Sequence, residues 1–234
     1  MTMLVVGLSH RTAPVELLDR VALTAAASQA LLRDVAASGH IAETMVVATC
    51  NRIEVYTDVV RFHGALEDVT ERLAKHTGVS RDELTPHLYV HYDDRAVAHL
   101  FALAGGLDSM VVGESQILGQ VRAALRQAQD ATTAERVLNE AAQAALRVGK
   151  RVHSDTGIDR AGQSVVSVAV DAAMAAVGPH GTLSAVIIGA GSMSALAAAT
   201  LHREGVTGLR VVNRTLEHAE RLAAAVGGAA GALD

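Results

Sequence analysis

The run of apolar positions from Met3 to Leu8 (MLVVGL) reads as a first buried strand, followed by the polar turn Ser9-His10-Arg11-Thr12-Ala13-Pro14. A proline there suits the first turn of a helix, and Glu16 to Val21 reads as a short one. Thr24 has the place and chemistry of an N-cap for a second helix to about Ala37, with Leu31, Leu32 and Val35 at helical spacing and Gly39 beyond. Met45-Val46-Val47-Ala48 reads as a buried strand, and after it Ile53, Val55 and Thr57 alternate with Glu54, Tyr56 and Asp58 as a second strand would. Leu66, Val69 and Leu73 mark a helix from Gly64 to His76 closed by Gly78, and Leu88 to Tyr92 is a further short strand. This order predicts a small α+β sandwich with helices on one face of a largely antiparallel sheet.

Beyond it, Asp93 or Asp94 is placed to cap a helix through Ala96 to Ala104, stopped by Gly105-Gly106. Leu107 to Gly113 is too broken by polar residues and glycine for an amphipathic element, whereas Ile117, Val121, Ala124, Leu125 and Ala128 resume helical spacing. A long helix follows from Ala134 to His153, and Arg147, Lys150 and Arg151 near its end complement a helix C-terminus, with an RNA phosphate contact the secondary reading. Ser154 to Gln163, with Gly157 and Gly162, is the expected domain boundary, dividing the chain into 1–155 and 156–234. The second part reads as an apolar helix Val165 to Val177 stopped by Gly178-Pro179, a strand Ala185 to Ile188, a helix to about Arg203 and a strand Leu209 to Val212. The alanine-rich tail from Ala223 to Ala232 reads only as compositional bias.

Composition narrows the classes. Half of the 234 residues are apolar but 2% are aromatic, so Ala, Val and Leu must build most of the core. One cysteine excludes an internal disulfide, and the absence of a signal-like N-terminus points to a reducing cytoplasm. No apolar run suggests a membrane span, and a formal charge of -5 leaves only a local role for basic residues in binding nucleic acid.

That cysteine, Cys50, lies at the junction of two strands, between Thr49 and Asn51-Arg52. A thiol attacks only as thiolate, and a fixed cation such as Arg52 would lower its pKa and hold an anionic substrate. Spacing alone leaves Cys50 open between a nucleophile and a small buried hydrophobe. Ser109, Glu114, Ser115, Gln116 and Gln120 cluster at a bend and a helix start, where caps and surface residues are the simpler reading. Among the eleven histidines, His87 and His91 read as surface residues rather than metal ligands, and His99 as a partly buried helix histidine. Gly189-Ala190-Gly191-Ser192-Met193-Ser194 sits between a strand and a helix, as a pyrophosphate-binding turn does, with Ser194 at the third glycine position. At the end of the following strand Asn213-Arg214-Thr215 stands where an acidic residue would select NAD. An arginine there favours NADP.

Together the N-terminal VVGLSHRTAPVELLDRVAL, the ATCNRIEVY and LDSMVVGESQILGQV blocks and the GAGSMS turn with VVNRT after it resemble glutamyl-tRNA reductase, which opens tetrapyrrole synthesis from glutamate. The resemblance implies an N-terminal α+β domain that binds glutamyl-tRNA(Glu), followed by a Rossmann-like, α/β domain for NADPH. It makes Cys50 the nucleophile that takes the glutamyl group as a thioester, reduced by hydride to glutamate-1-semialdehyde. Thr49, Asn51 and Arg52 match glutamate-recognising positions, with Arg52 the carboxylate clamp. Ser109, Glu114, Ser115, Gln116 and Gln120 match other substrate contacts, and His99 a histidine that matters for activity. Gly189 to Ser194 and Asn213 to Thr215 match the cofactor site. The resemblance further implies a downstream semialdehyde aminomutase as partner and a homodimer for full-length members. Those members are longer, so the nucleotide domain is expected to be incomplete here, a two-strand remnant, and a non-catalytic remnant that binds glutamyl-tRNA or a protein is the alternative expectation.

Overall fold

The computed structural model describes residues 2–110, 112–114, 116–156, 158, 165–177 and 183–233, which pack as two compact units, Met1–Gly162 and Gln163–Asp234. The boundary glycines Gly157 and Gly162 and the Gly178-Pro179 stop lie outside the described residues. Among the described residues, no helix is long and apolar enough to cross a membrane.

The first unit runs β1 (Met3–Ser9), α1 (Val15–Val21), α2 (Ala25–Ala36), β2 (Ile41–Ala48), β3 (Arg52–Val59), α3 (Phe62–Thr77), a short α4 (Arg81–Leu84) with a 3-10 turn (Thr85–His87), β4 (Tyr89–Tyr92), α5 (Asp94–Ala104), α6 (Gln116–Asp130) and α7 (Arg136–Thr156). The strands form one sheet in the order β2-β3-β1-β4, antiparallel at every pairing. Local chemistry sets several ends as expected. Thr24 Oγ1 accepts the Ala27 N–H at 3.2 Å to open α2, and Gly78 closes α3 at φ 70°. Asp93 does not cap α5. Its backbone turns to φ 52°, away from the extended conformation that a capping residue adopts, and its side chain makes no capping bond; its N–H bonds the Met3 carbonyl.

The helices cover both faces of this sheet, not one. Every residue of β1 is buried, which a strand of alternating side chains achieves only when both faces are covered. The neighbours His91 and Tyr92 point to opposite faces. His91 stacks on His99 of α5 with ring centroids 4.5 Å apart, while Tyr92 meets Phe62 of α3 edge-on at 4.7 Å. One core therefore joins Leu4, Val6 and Leu8 to Leu31, Val69 and Leu73, and also to Leu100, Leu103, Val121 and Leu146. Glu43, on β2, supplies the start of α7: its carboxylate accepts the N–H groups of Glu135, Val137 and Leu138 at 2.8–3.0 Å.

The second unit runs α8 (Val165–Val177), β5 (Ser184–Ile188), α9 (Ser192–Arg203), β6 (Gly208–Asn213), α10 (Leu216–Ala225) and β7 (Ala229–Ala232). Its parallel sheet has three strands, in the order β5-β6-β7, rather than the two expected. The third is the alanine-rich tail, which propensity disfavours as a strand but which β6 templates from Arg210↔Ala229 to Asn213↔Ala232. Ile187, Ala198, Leu209, Val211, Ala219 and Ala223 form its core, while Val186 and Ile188 on the other face of β5 are exposed.

Candidate active site

The β2–β3 hairpin is closed by Thr49, Cys50 and Asn51. The Thr49 N–H bonds the Arg52 carbonyl at 2.9 Å, the Asn51 N–H donates to Thr49 Oγ1 at 3.1 Å, and the His10 N–H ties the Asn51 carbonyl to the loop after β1 at 3.0 Å. The turn presents Cys50 as an exposed free thiol, not as a buried hydrophobe. Arg52 does not activate it. Partial burial of the sulfur, and then the charge of Glu114, push the thiol above its ordinary value. Alkylation of Cys50 by iodoacetamide, followed by mass against pH, is therefore expected to titrate above a free cysteine. Glu114→Gln is expected to move the curve back down by removing a like charge, and coincident curves for the two proteins would contradict this placement of Glu114.

Arg52 opens β3 with its side chain inward, 2% exposed. Its Nη1 donates to Glu54 Oε1 at 2.8 Å and to Asp108 Oδ2 at 2.7 Å, and its Nη2 donates to the Asp108 carbonyl. Arg11 holds the same aspartate from the other side, Nε to Oδ1 at 3.1 Å, and bonds the Leu107 carbonyl at 3.3 Å. Glu54, fully buried, also accepts His99 Nε2–H at 2.9 Å and the hydroxyls of Tyr56 and Tyr89. Burial alone would raise its carboxyl, but the bond from His99, with the charges of His99 and Arg52, brings it down to about 2. Burial and the same carboxylate push both tyrosine hydroxyls well up, so they act as donors.

His99 is held in this network and not against the thiol. It borders a cavity of about 280 Å³ lined by Ser9, Arg11, Thr12, Tyr89, His91, His99 and Asp108. His91 is part of this cluster, half-buried rather than a surface residue, and burial beside His99 lowers its pKa. Glu54, His99 and Asp108 converge closely enough to suggest a metal site among the described residues, yet the Arg52 guanidinium already lies against both carboxylates as their cation.

Asp108 belongs to the segment between α5 and α6, whose ends are tied by a Gly113 N–H to Gly106 carbonyl bond of 2.9 Å, both glycines at positive φ (74° and 87°). It also brings in Ser109, buried with an Oγ that has no partner among the described residues, and half-buried Glu114. Gln116 opens α6 and Gln120 follows one turn on, both half-buried. Ser115 lies outside the described residues. Glu54, Tyr89, Asp108 and Arg11 were not singled out in the sequence, where His91 reads as a surface residue. The one available signal was Glu54 and Tyr56 at a two-residue spacing in a strand with no solvent face, since polar groups buried together must satisfy one another.

In the second unit Gly189 adopts φ 101° and donates its N–H to the Val212 carbonyl at 2.7 Å, so the turn needs a glycine there. Gly191 is the extended N-cap residue of α9, and a Cβ at this position would meet nothing within 4 Å, leaving open space before the helix N-terminus. Ala190 borders a cavity of about 410 Å³ with His218 and Arg221, Met193 is exposed, Ser194 is half-buried beside Gly189, and the Ser192 side chain lies outside the described residues. Asn213 Nδ2 donates to the Thr215 carbonyl at 2.9 Å, shaping the turn that leaves Arg214 exposed. This turn and the open helix end fit the pyrophosphate of a dinucleotide, with the Arg214 guanidinium exposed beyond the second strand.

A dehydrogenase-type Rossmann unit preceded by an α+β unit that presents one thiol defines the class. The family model "Glutamyl-tRNAGlu reductase, N-terminal domain" matches residues 6–156, and "Shikimate / quinate 5-dehydrogenase" matches residues 171–234. The glutamyl-tRNA reductase of Streptomyces coelicolor is 57% identical over 226 residues, 95% of this chain and 39% of that protein. That of Kineococcus radiotolerans is 51% identical over 234 residues, 100% of this chain and 53% of that protein. The solved glutamyl-tRNA reductase from Methanopyrus kandleri superposes with a TM-score of 0.62 at 32% identity, covering 98% of this chain and 54% of that one. The chain belongs to the glutamyl-tRNA reductase family, and spans about two-fifths to one-half of the length of these relatives.

Proposed function

We propose that this chain carries the acyl-transfer and nucleotide-binding parts of an NADPH-dependent reductase that converts glutamyl-tRNA(Glu) to glutamate-1-semialdehyde, the first step of tetrapyrrole synthesis from glutamate. The observation that carries the proposal is the chain's single thiol, displayed on the β2–β3 turn within electrostatic reach of Glu114. The Cys50 thiolate attacks the ester carbonyl of the glutamyl group, a C–S bond forms as the C–O bond to the terminal ribose breaks, and that oxygen leaves with a proton. The thioester holds the acyl group without release of a free carboxylate. NADPH, when bound, supplies the hydride that turns this acyl group into an aldehyde and returns the thiolate. Thr49 and Asn51 shape the turn, Arg52 takes a substrate carboxylate, and Ser109, Glu114, Ser115, Gln116 and Gln120 contact the glutamyl group. His99, fixed by Glu54, handles a proton. Gly189 to Ser194 receive the pyrophosphate at the start of α9, and Asn213 to Thr215 the adenosine ribose, with Arg214 on the 2′-phosphate.

Exposed Arg122 and Arg126 on α6 and Arg147 and Lys150 on α7 offer contacts for tRNA phosphates. A downstream aminomutase receives the labile aldehyde. The raised thiol is the observation that favours a second reading, in which the chain binds glutamyl-tRNA without acylation. The test of the cofactor assignment is NADPH oxidation dependent on glutamyl-tRNA. Arg214→Ala is expected to raise KM for NADPH roughly tenfold or more, the loss of one charge-assisted phosphate contact, with little change for NADH. Equal effects on the two cofactors would remove Arg214 from the 2′-phosphate.

A further inference from the structure

We propose that Asp108 is a specificity-determining residue: its carboxylate occupies Arg52 in the unliganded protein, and the side-chain carboxylate of a bound glutamyl group displaces it. This rests on the reading that Arg52 receives a substrate carboxylate.

Arg52 is 2% exposed, so no ligand reaches it while both of its carboxylate partners stay in place. Of the two, Glu54 cannot leave. It has no exposed surface and is bonded by Arg52, His99, Tyr56 and Tyr89 at once. Asp108 can. Its side chain is 19% exposed, it borders the 280 Å³ cavity, and its second oxygen is held by Arg11, whose own side chain is 53% exposed. Asp108 thus stands between the cavity and Arg52, already playing the part of a carboxylate ligand. Ser109, next in the chain, has a buried Oγ that no other described residue satisfies, a polar group left open on the same segment.

The exchange selects for charge. When the Asp108 side chain swings away, Arg52 keeps the Asp108 backbone carbonyl but only one carboxylate, Glu54, which His99 and two tyrosines share, and a buried guanidinium is compensated by another anion far better than by an amide. A glutamyl group replaces what it removes, and a glutaminyl group does not.

The experiment follows protection of Cys50 from N-ethylmaleimide by L-glutamate α-methyl ester and by L-glutamine α-methyl ester, in the chain and in Asp108→Asn. Asparagine keeps the residue's volume and the backbone carbonyl bonded to Arg52, and circular dichroism and thermal melting check the fold. With the competing carboxylate gone, the glutamate ester is expected to protect Asp108→Asn at roughly tenfold lower concentration, the equivalent of one charge-assisted hydrogen bond. The glutamine ester is expected to gain nothing. Unchanged or weaker protection of the folded variant by the glutamate ester, or an equal gain for the glutamine ester, overturns the inference. If Asp108→Asn does not fold, the unsubstituted protein decides, because equal protection by the two esters overturns carboxylate exchange. The acyl-transfer reading is scored separately by a glutamyl adduct on Cys50 from glutamyl-tRNA. An adduct without the Asp108→Asn gain overturns the inference alone, and neither adduct nor protection overturns both.

Discussion

Glu54→Ala is expected to destabilise the first unit by about 3–5 kcal/mol, the usual result of removing one partner from a buried ion pair. The carboxylate is wholly buried and receives a guanidinium, an imidazole and two phenols. Alanine would leave Arg52 with Asp108 alone, free two tyrosine hydroxyls without partners and open a void beneath α5. Denaturant unfolding measures the loss, and a change under about 1 kcal/mol would contradict the placement of Glu54 as the centre of the network. Glu54→Gln, which keeps volume and an acceptor, separates charge from packing. The carboxyl lies at about 2 in the folded chain against an ordinary 4.5, so its stabilisation is complete above about 4.5 and is lost as pH falls from there through about 2. The glutamine variant therefore loses stability at neutral pH and shows a shallower fall in acid, with the two proteins converging toward pH 2.

What could be read from the chain divides along a physical line. Elements that depend on local spacing were legible. Ile117, Val121, Ala124, Leu125 and Ala128 are the buried residues of α6, and Thr24 and Gly78 end helices where their chemistry says they should. The strand-turn-helix around Gly189 and the turn at Cys50 were legible for the same reason. Features that depend on partners far along the chain were not. Glu43 starts a helix more than ninety positions away, and Asp108 meets Arg52 across 56. A cation two residues from a thiol looks like its activator. In a strand, however, that residue belongs to a pleated face set by register, and register delivers Arg52 to Glu54 and Asp108 instead. The strand Ala229–Ala232 was hidden because its residues carry almost no β preference and its pairing comes wholly from β6. Helices on both faces of the first sheet could have been inferred from the unbroken burial implied by MLVVGL, which lacks the polar alternation of a strand with one wet face.

Replacing Cys50 by serine is expected to abolish covalent capture of the glutamyl group altogether. The serine hydroxyl keeps the turn and its hydrogen bonds, since Thr49, Asn51 and His10 bond through groups other than the thiol. Among the described residues no base bonds this position to ionise it, whereas a raised thiol still supplies some thiolate at neutral pH and attacks faster for its softness. The two proteins should therefore fold alike and differ only in acyl transfer. Intact-mass spectrometry after mixing with glutamyl-tRNA at pH 8 tests this directly. The account predicts a single glutamyl adduct that hydroxylamine removes, present in the unsubstituted chain and absent from Cys50→Ser. A folded chain that binds glutamyl-tRNA and acquires no such adduct, or an adduct that survives in the serine variant, would contradict the assignment of Cys50 as the acyl acceptor.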